Sequence, residues 1–137
     1  MINMKPNIEY ISPLTGGNDY LCSCITEILQ LEYQLDHPAE QSFYFKRGLK
    51  SQEDRLHDLI KNFETFRNTV NAITIEELAS SEKIETKKLA DANTLNCSRK
   101  SRVMALSISR SRIKTIELYQ SVKNDVGEIP ELDFFRR

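Results

Sequence analysis

The stretch from Phe45 to Ile73 limits the folds open to this chain more than any other part of it. Read at alternating steps of four and three residues, eight of its nine positions are apolar, and the exception is Gln52. This spacing places the apolar side chains along one side of a helix, as in coiled coils and antiparallel bundles. Such a helix is stable only when another helix covers this central seam, which consists of Phe45, Leu49, Leu56, Leu59, Phe63, Phe66, Val70 and Ile73.

Capping residues and proline set the ends of the neighbouring helices. Asn18 or Asp19 is a suitable N-cap, and the residue before Pro38 is disfavoured in helical conformation. The unbroken heptad favours a central helix that continues through Gly48. Thr74, followed three residues later by a glutamate, forms a capping box. The sequence therefore predicts helices at about 18–36, 40–73, 75–92 and 97–125.

The last predicted helix has two apolar faces. One contains Met104 and Ile108 among serine and threonine residues, and the other contains Val103, Leu106, Ile113 and Ile116. A helix of this kind is typical of an inner position, where it touches two neighbours closely.

These patterns predict an all-α protein, in which an antiparallel helical hairpin is extended to a three- or four-helix bundle with coiled-coil-like seams. We expect the helical bundle domain to span residues 18–126. Residues 1–17 contain Pro and Gly at both ends and are expected to form a flexible arm without a helix. Residues 127–137 form a C-terminal tail, in which Phe134 and Phe135 either fold back onto the bundle or are candidates for docking to a partner.

The lengths of the helices leave part of the central seam without an obvious cover. A helix of 18 residues extends along only about half of the central helix at 1.5 Å per residue. The far part of the seam, from Phe63 to Ile73, must then be covered by the 75–92 segment, by the last helix or by a second chain. We therefore expect the protein to bind a protein partner, to form a homo-oligomer, or both.

No pattern of catalytic or ligand-binding residues is present. The chain lacks a glycine-rich phosphate loop, and its two histidines and three cysteines show no paired metal-ligand spacing. We expect no enzyme activity, no catalytic residue, no metal and no cofactor, and we infer no small-molecule substrate. An odd, small number of cysteines indicates a reducing, intracellular (cytoplasmic) compartment. No run of 18 apolar residues predicts a membrane span, and the first residues do not resemble a secretory signal.

One segment has a strong charge bias, although the net charge of the chain is only −1. From Cys97 to Thr115 there are six basic residues and no acidic one. Such a segment is typical of a surface that binds the phosphates of nucleic acid or packs against an acidic protein surface. The candidates for nucleic-acid binding are Arg99, Lys100, Arg102, Arg110, Arg112 and Lys114. Residues 74–92 also match a degenerate helix-turn-helix, with Lys83 at the position where the turn usually has glycine.

The sequence thus supports two functions. The first is a non-catalytic protein–protein interaction module, such as an adaptor, a chaperone-like protein or an assembly subunit, that binds through the coiled-coil seams. The alternative is a small DNA-binding transcriptional regulator that uses the degenerate helix-turn-helix at 74–92 and the basic helix at 97–114.

Overall fold

The computed structural model describes residues 8–94 and 97–136 of the chain. Over these residues the protein is helical and without β-strands, and its long helices pack in antiparallel pairs. The predicted all-α fold class is therefore confirmed. In chain order the helices are α1 (Ile8–Leu14), α2 (Asp19–Asp36), α3 (Phe43–Arg47), α4 (Leu49–Ala72), α5 (Ile75–Ala92), α6 (Arg99–Val126) and α7 (Leu132–Phe135), with a 3₁₀ turn at Pro38–Glu40.

The chain divides into two compact units. The first unit consists of Met1–Asn71 and Asp125–Arg137, so it combines both ends of the chain, and the second consists of Ala72–Asn124. The antiparallel pair of α2 and α4 belongs to the first unit, and the pair of α5 and α6 belongs to the second. The single bundle domain expected over 18–126 stays a prediction.

α2 begins and ends where the capping residues predict. The side chain of Asn18 accepts a hydrogen bond from the backbone N–H of Leu21 at 2.9 Å and so satisfies an otherwise unpaired donor of the first turn. His37 ends the helix directly before Pro38. One side of α2 is buried, and it carries Leu21, Cys22, Ile25, Ile28, Leu29 and Leu31.

The central helix is interrupted at Gly48, so the predicted continuous helix over 40–73 is wrong. Ser42 caps the short helix α3, where its hydroxyl accepts a hydrogen bond from the N–H of Phe45. Gly48 then leaves helical geometry, with φ −106° and ψ 29°, before α4 begins. Glycine is among the weakest helix formers, and here its effect outweighs the heptad pattern across it. The break leaves Phe43 and Tyr44 largely exposed.

α2 covers the middle of α4 in the antiparallel hairpin that the sequence predicts. Arg55 forms an ion pair with Glu27, and the ring of Phe66 lies 5.2 Å from that of Tyr20. Along the central seam, Phe63 and Val70 are buried. The other seam residues are half-buried, namely Phe45, Leu49, Leu56, Leu59, Phe66 and Ile73.

The far end of α4 is covered by the C-terminal tail, which folds back onto the first unit. Ile129 is fully buried. The side chain of Asn71, near the end of α4, forms hydrogen bonds with both the backbone N–H and the backbone carbonyl of Ile129. The tail then forms α7, which buries Leu132 and Phe135. Arg136 anchors its end by donating to both carboxylate oxygens of Glu32 at 2.6 and 3.1 Å, and these hydrogen bonds raise the pKa of the guanidinium. The first unit therefore covers much of the central seam with its own residues.

Residues 8–14 form the helix α1, which contradicts the prediction of an arm without a helix. Pro13 lies in the last turn of α1, and Ile11 is 1% exposed. The burial of Ile11 supports a short helix that local propensity alone disfavours. After α1 the chain turns sharply through Gly16 and Gly17, whose φ angles are +60° and +75°. Only glycine adopts such angles without strain.

We expect Phe63→Ala to lower the free energy of unfolding by about 3–5 kcal/mol, because it leaves a cavity under a side chain that is 4% exposed. Urea unfolding followed by far-UV circular dichroism measures this change. Lys61→Ala, at an exposed position of the same helix, is the control and should stay within about 0.5 kcal/mol of the wild type. Equal effects of the two substitutions would contradict the packing described for α4.

The two adjacent glycines provide a matched pair of substitutions. Both have positive φ, so alanine at either position costs on the order of 1 kcal/mol in backbone strain. A Cβ at Gly16 would also overlap the backbone carbonyl of Asp125, whereas a Cβ at Gly17 would meet open space. Gly16→Ala should therefore be less stable than Gly17→Ala by a further 1–3 kcal/mol or so. If the two variants unfold at the same urea concentration, the turn does not lie against Asp125.

Candidate docking face of the second unit

α5 forms because its first turn is capped and its buried positions recur at helical spacing. The hydroxyl of Thr74 accepts a hydrogen bond from the N–H of Glu77 at 3.0 Å, as the capping-box pattern predicts. Leu78, Glu85 and Ala92 follow one another at intervals of seven residues and are buried. A charged residue therefore occupies the middle of an otherwise apolar line.

The helix-turn-helix predicted within 74–92 is wrong. Residues from Ile75 to Ala92 form one continuous helix, without a turn at Lys83. Lysine and its neighbours are adequate helix formers, and nothing in this segment supplies the glycine that the tight turn requires. The alternative function therefore loses the element that was expected to enter a DNA groove.

α6 packs against α5 with only one of its two predicted apolar faces. Ser109 and Ile116 are buried, and Leu106 and Ile113, at three- and four-residue spacing from them, are half-buried. Met104 and Ile108, from the other face, are 57% and 49% exposed. The predicted inner position of this helix is therefore wrong over its first half, because α6 has only one neighbouring helix within the second unit.

Three large exposed apolar residues of α5 and α6 lie on one side of the pair and form a face of the second unit that we call the open face. It consists of Ile84 on α5 and Met104 and Ile108 on α6, each about half exposed. Val103 is equally exposed but lies about 140° from Ile108 around α6, on the other side of the pair. A shallow groove of about 430 Å³ runs along this face between the helices. Its lining comprises Ser81, Ile84, Glu85, Ser111, Arg112, Thr115 and Ile116. Small hydroxyl side chains on both helices leave room for a third side chain to enter.

Glu85 lies at the floor of this groove and is only partly satisfied. Its Oε1 is 3.7 Å from the ammonium of Lys88 and 3.6 Å from the guanidinium of Arg112, distances of an ion pair rather than of a good hydrogen bond. Its Oε2 is buried and has no hydrogen-bond partner among the residues that the structure describes. A buried carboxylate oxygen without a donor lowers stability, so this position can accept a further donor group.

The six basic candidates on α6 do not share one environment. Arg112 is engaged by Glu85, and Arg102 is half-buried. The remaining four are exposed and form no ion pair with any described residue, namely Arg99, Lys100, Arg110 and Lys114. Arg110 and Lys114 line a second shallow depression together with Val103 and Leu106. Positive charge and apolar surface thus lie side by side on α6.

The first unit contains a smaller cleft of about 180 Å³ between α2 and α4. Its lining includes Tyr20, Cys24, Glu27, Leu59 and Phe66. Burial raises the pKa of the Cys24 thiol and outweighs the hydrogen bond from Tyr20, and the charge of Glu27 raises the pKa further. The thiol therefore stays protonated near neutral pH, which makes it a poor nucleophile and a poor metal ligand.

The other candidates from the sequence analysis are distributed as follows. Phe135 is 2% exposed, so only Phe134 of the tail pair keeps a substantial free surface. No three His, Cys, Asp or Glu side chains are grouped in a metal-binding arrangement within residues 8–94 and 97–136. In the same ranges, the helices are too short or too polar to cross a membrane.

Sequence reasoning missed Glu85 and misjudged Met104 and Ile108. Glu85 could have been found as the one charge in the line of residues 78, 85 and 92 at heptad spacing. Met104 and Ile108 were identified as apolar positions, but their spacing carries no information on whether a neighbour covers them.

No family model, no curated protein and no solved structure matches this chain. Its function must therefore be inferred from its own residues.

We expect Glu85→Leu to leave the free energy of unfolding unchanged or to raise it, by up to 1–4 kcal/mol or so. Leucine keeps the helix propensity and replaces a buried, incompletely paired carboxylate in the line of Leu78 and Ala92. Urea unfolding measures the change, and Glu76→Leu at an exposed position of α5 is the control. A clear destabilisation by Glu85→Leu would mean that the pairs with Lys88 and Arg112 stabilise the hairpin.

Proposed function

We propose that this protein is a non-catalytic protein–protein interaction module that binds a helical partner on the open face of its second unit. One observation carries this proposal: Ile84, Met104 and Ile108 remain about half exposed on one side of the antiparallel pair α5 and α6. Apolar side chains at helical spacing on two adjacent helices are what a partner helix buries in a groove.

The composition of the open face favours a protein partner over nucleic acid. Met104 and Ile108 lie among the basic side chains of α6, where contact with a phosphate backbone would leave them without apolar neighbours. A protein helix can bury these two residues and place its carboxylates against Lys100 and Arg112, which lie one helical turn from Met104 and Ile108 respectively. The exposed cations then contribute mainly to the orientation and rate of association.

Nucleic-acid binding is the second candidate, and one observation favours it. Arg99, Lys100, Arg110 and Lys114 are exposed, and α6 has no acidic residue from Arg99 to Thr115. Such a surface attracts phosphate in a salt-dependent way. Without a helix-turn-helix at 74–92, this binding would depend on α6 alone.

The proposal also includes that the protein is not an enzyme and that it works in a reducing compartment. The thiols of Cys22, Cys24 and Cys97 are all free, which supports a reducing compartment. The raised pKa of Cys24, which makes its thiol a poor nucleophile, supports a binding role over a catalytic one.

Site-specific photocrosslinking in intact cells tests this function. A benzophenone side chain in place of Ile108 should give an ultraviolet-dependent adduct with protein, because this residue would lie inside the interface. Thr86 is the matched control, since it is also exposed but lies about 200° around α5 from Ile84. Adducts that contain nucleic acid and disappear with nuclease would support the second candidate. Absence of any adduct at position 108, or equal adducts at both positions, would contradict the interaction function.

A further inference from the structure

The short helix α3 carries the two most exposed large apolar side chains among the described residues. Phe43 is 67% exposed and Tyr44 is 83% exposed. At about 100° per residue, both rings lie on the same side of α3 as Lys46 and Arg47, and the half-buried Phe45 lies on the opposite side. The outer side of α3 therefore consists of two aromatic rings and two cations.

The charge of this segment has one sign. Residues 41–52 include three basic residues and no acidic one. Lys50 forms an ion pair with Asp54 at 3.3 Å. Lys46 and Arg47 are exposed and form no ion pair with any described residue. The charge of these two side chains therefore remains available to an external anion.

Neighbouring side chains do not neutralise these cations. The guanidinium of Arg47 lies 5.6 Å from the centroid of the Phe43 ring, in a cation–π contact that keeps its charge. Glu40, the last acidic residue before the segment, accepts a hydrogen bond from the hydroxyl of Tyr33 at 2.9 Å. Rings and cations thus form one surface, which we call the α3 tip and which consists of Phe43, Tyr44, Lys46 and Arg47.

We propose that the α3 tip binds the surface of an anionic lipid bilayer, as a function additional to that of the open face. Phe43 and Tyr44 enter the interfacial region, and Lys46 and Arg47 contact the negative headgroups. A bilayer surface supplies both partners at once, because an apolar region lies directly beneath a layer of negative charge. Aromatic rings flanked by lysine and arginine are typical of segments that lie in this interface.

The composition and size of the α3 tip favour a bilayer over other classes of partner. Lysine is depleted in protein–protein interfaces, where aromatic residues are enriched, whereas membrane interfaces accept both. A single-stranded nucleic acid needs a row of cations that follows its backbone. α3 has five residues and is therefore about 7–8 Å long, which is too short for such a row. A bilayer requires neither a groove nor a row of cations.

The binding should be weak and should depend on salt. Stable anchoring takes two signals, so the apolar contribution of the rings and the attraction of the cations must act together. Near an anionic surface, each lysine or arginine contributes about fivefold in affinity. Because salt screens exposed charges, high ionic strength should release the protein from the surface.

Sedimentation of the full chain with lipid vesicles tests this binding. The anionic vesicles contain phosphatidylcholine and phosphatidylserine in equal amounts, and vesicles of phosphatidylcholine alone supply a neutral surface. We expect the wild type to bind only the anionic vesicles. The K46Q/R47Q variant should bind them roughly 20–30-fold more weakly, at about fivefold for each cation. The F43S/Y44S variant should bind at least about tenfold more weakly, because it loses the apolar contribution.

Matched control variants change other exposed positions. K83Q/K87Q removes two exposed cations of α5, and I84S/I108S removes two apolar side chains of the open face. Both variants should bind the anionic vesicles like the wild type. Far-UV circular dichroism shows whether each variant keeps its helix content, as is expected for substitutions at exposed positions.

A fluorescent reporter measures insertion directly. The chain contains no tryptophan, so Tyr44→Trp introduces a single indole at the α3 tip. Its emission should shift to shorter wavelength with anionic vesicles and should be quenched by lipids with brominated acyl chains, because the ring would lie within the interface. Ile75→Trp, at an exposed apolar position of α5, is the control and should keep its spectrum.

Several results would overturn the membrane function: no binding of the wild type to anionic vesicles, equal binding to neutral vesicles, an F43S/Y44S variant that binds like the wild type, or an unchanged spectrum of Tyr44→Trp. A wild type that binds no vesicles, but forms protein or nucleic-acid adducts through a benzophenone at position 44, would assign the α3 tip to that partner instead. These results leave the open face untouched, since the adduct at position 108 tests it separately.

Discussion

The first unit depends on a small set of hydrogen bonds around Ile129. This residue is fully buried, so both of its backbone groups need partners inside the protein. Asn71 supplies both, since its carbonyl oxygen accepts from the Ile129 N–H at 2.8 Å and its amide nitrogen donates to the Ile129 carbonyl at 3.0 Å. Arg67 donates a further hydrogen bond to that carbonyl. One asparagine thereby ties the tail to α4 and places Leu132 and Phe135 in the core.

A second set of hydrogen bonds, formed by Asn18, connects the N-terminal part of this unit to its C-terminal part. Asn18 caps α2 with its side-chain oxygen while its amide nitrogen donates to the carboxylate of Asp125 at 2.9 Å. The turn at Gly16 lies so close to the backbone of Asp125 that only glycine fits there. Contacts between residues more than 100 positions apart therefore hold this unit together. They close it around a core that includes Leu21, Ile25, Val70 and Phe135, while Phe43 and Tyr44 before the break at Gly48 stay exposed.

The second unit has no such closure within its own residues. Its two helices are adjacent in sequence and bury a short line of residues, one of which is the charged Glu85. A pair of helices can cover only one side of each helix, so the remaining apolar residues stay exposed. This difference between the units supports the proposal that the open face binds a partner.

The sequence by itself determined the long helices and the ends that have local signals, because capping by Asn18 and Thr74 and termination before Pro38 act within a few residues. It also determined which residues share a face, since that follows from 3.6 residues per turn. Tertiary structure alone decided which face is covered. Ile11 stabilised a helix that Pro13 disfavours, the tail covered the end of α4, and Met104 and Ile108 stayed exposed. Helical periodicity specifies what lies on one side of a helix but contains no information about what packs against it, because that depends on contacts between residues far apart in the chain.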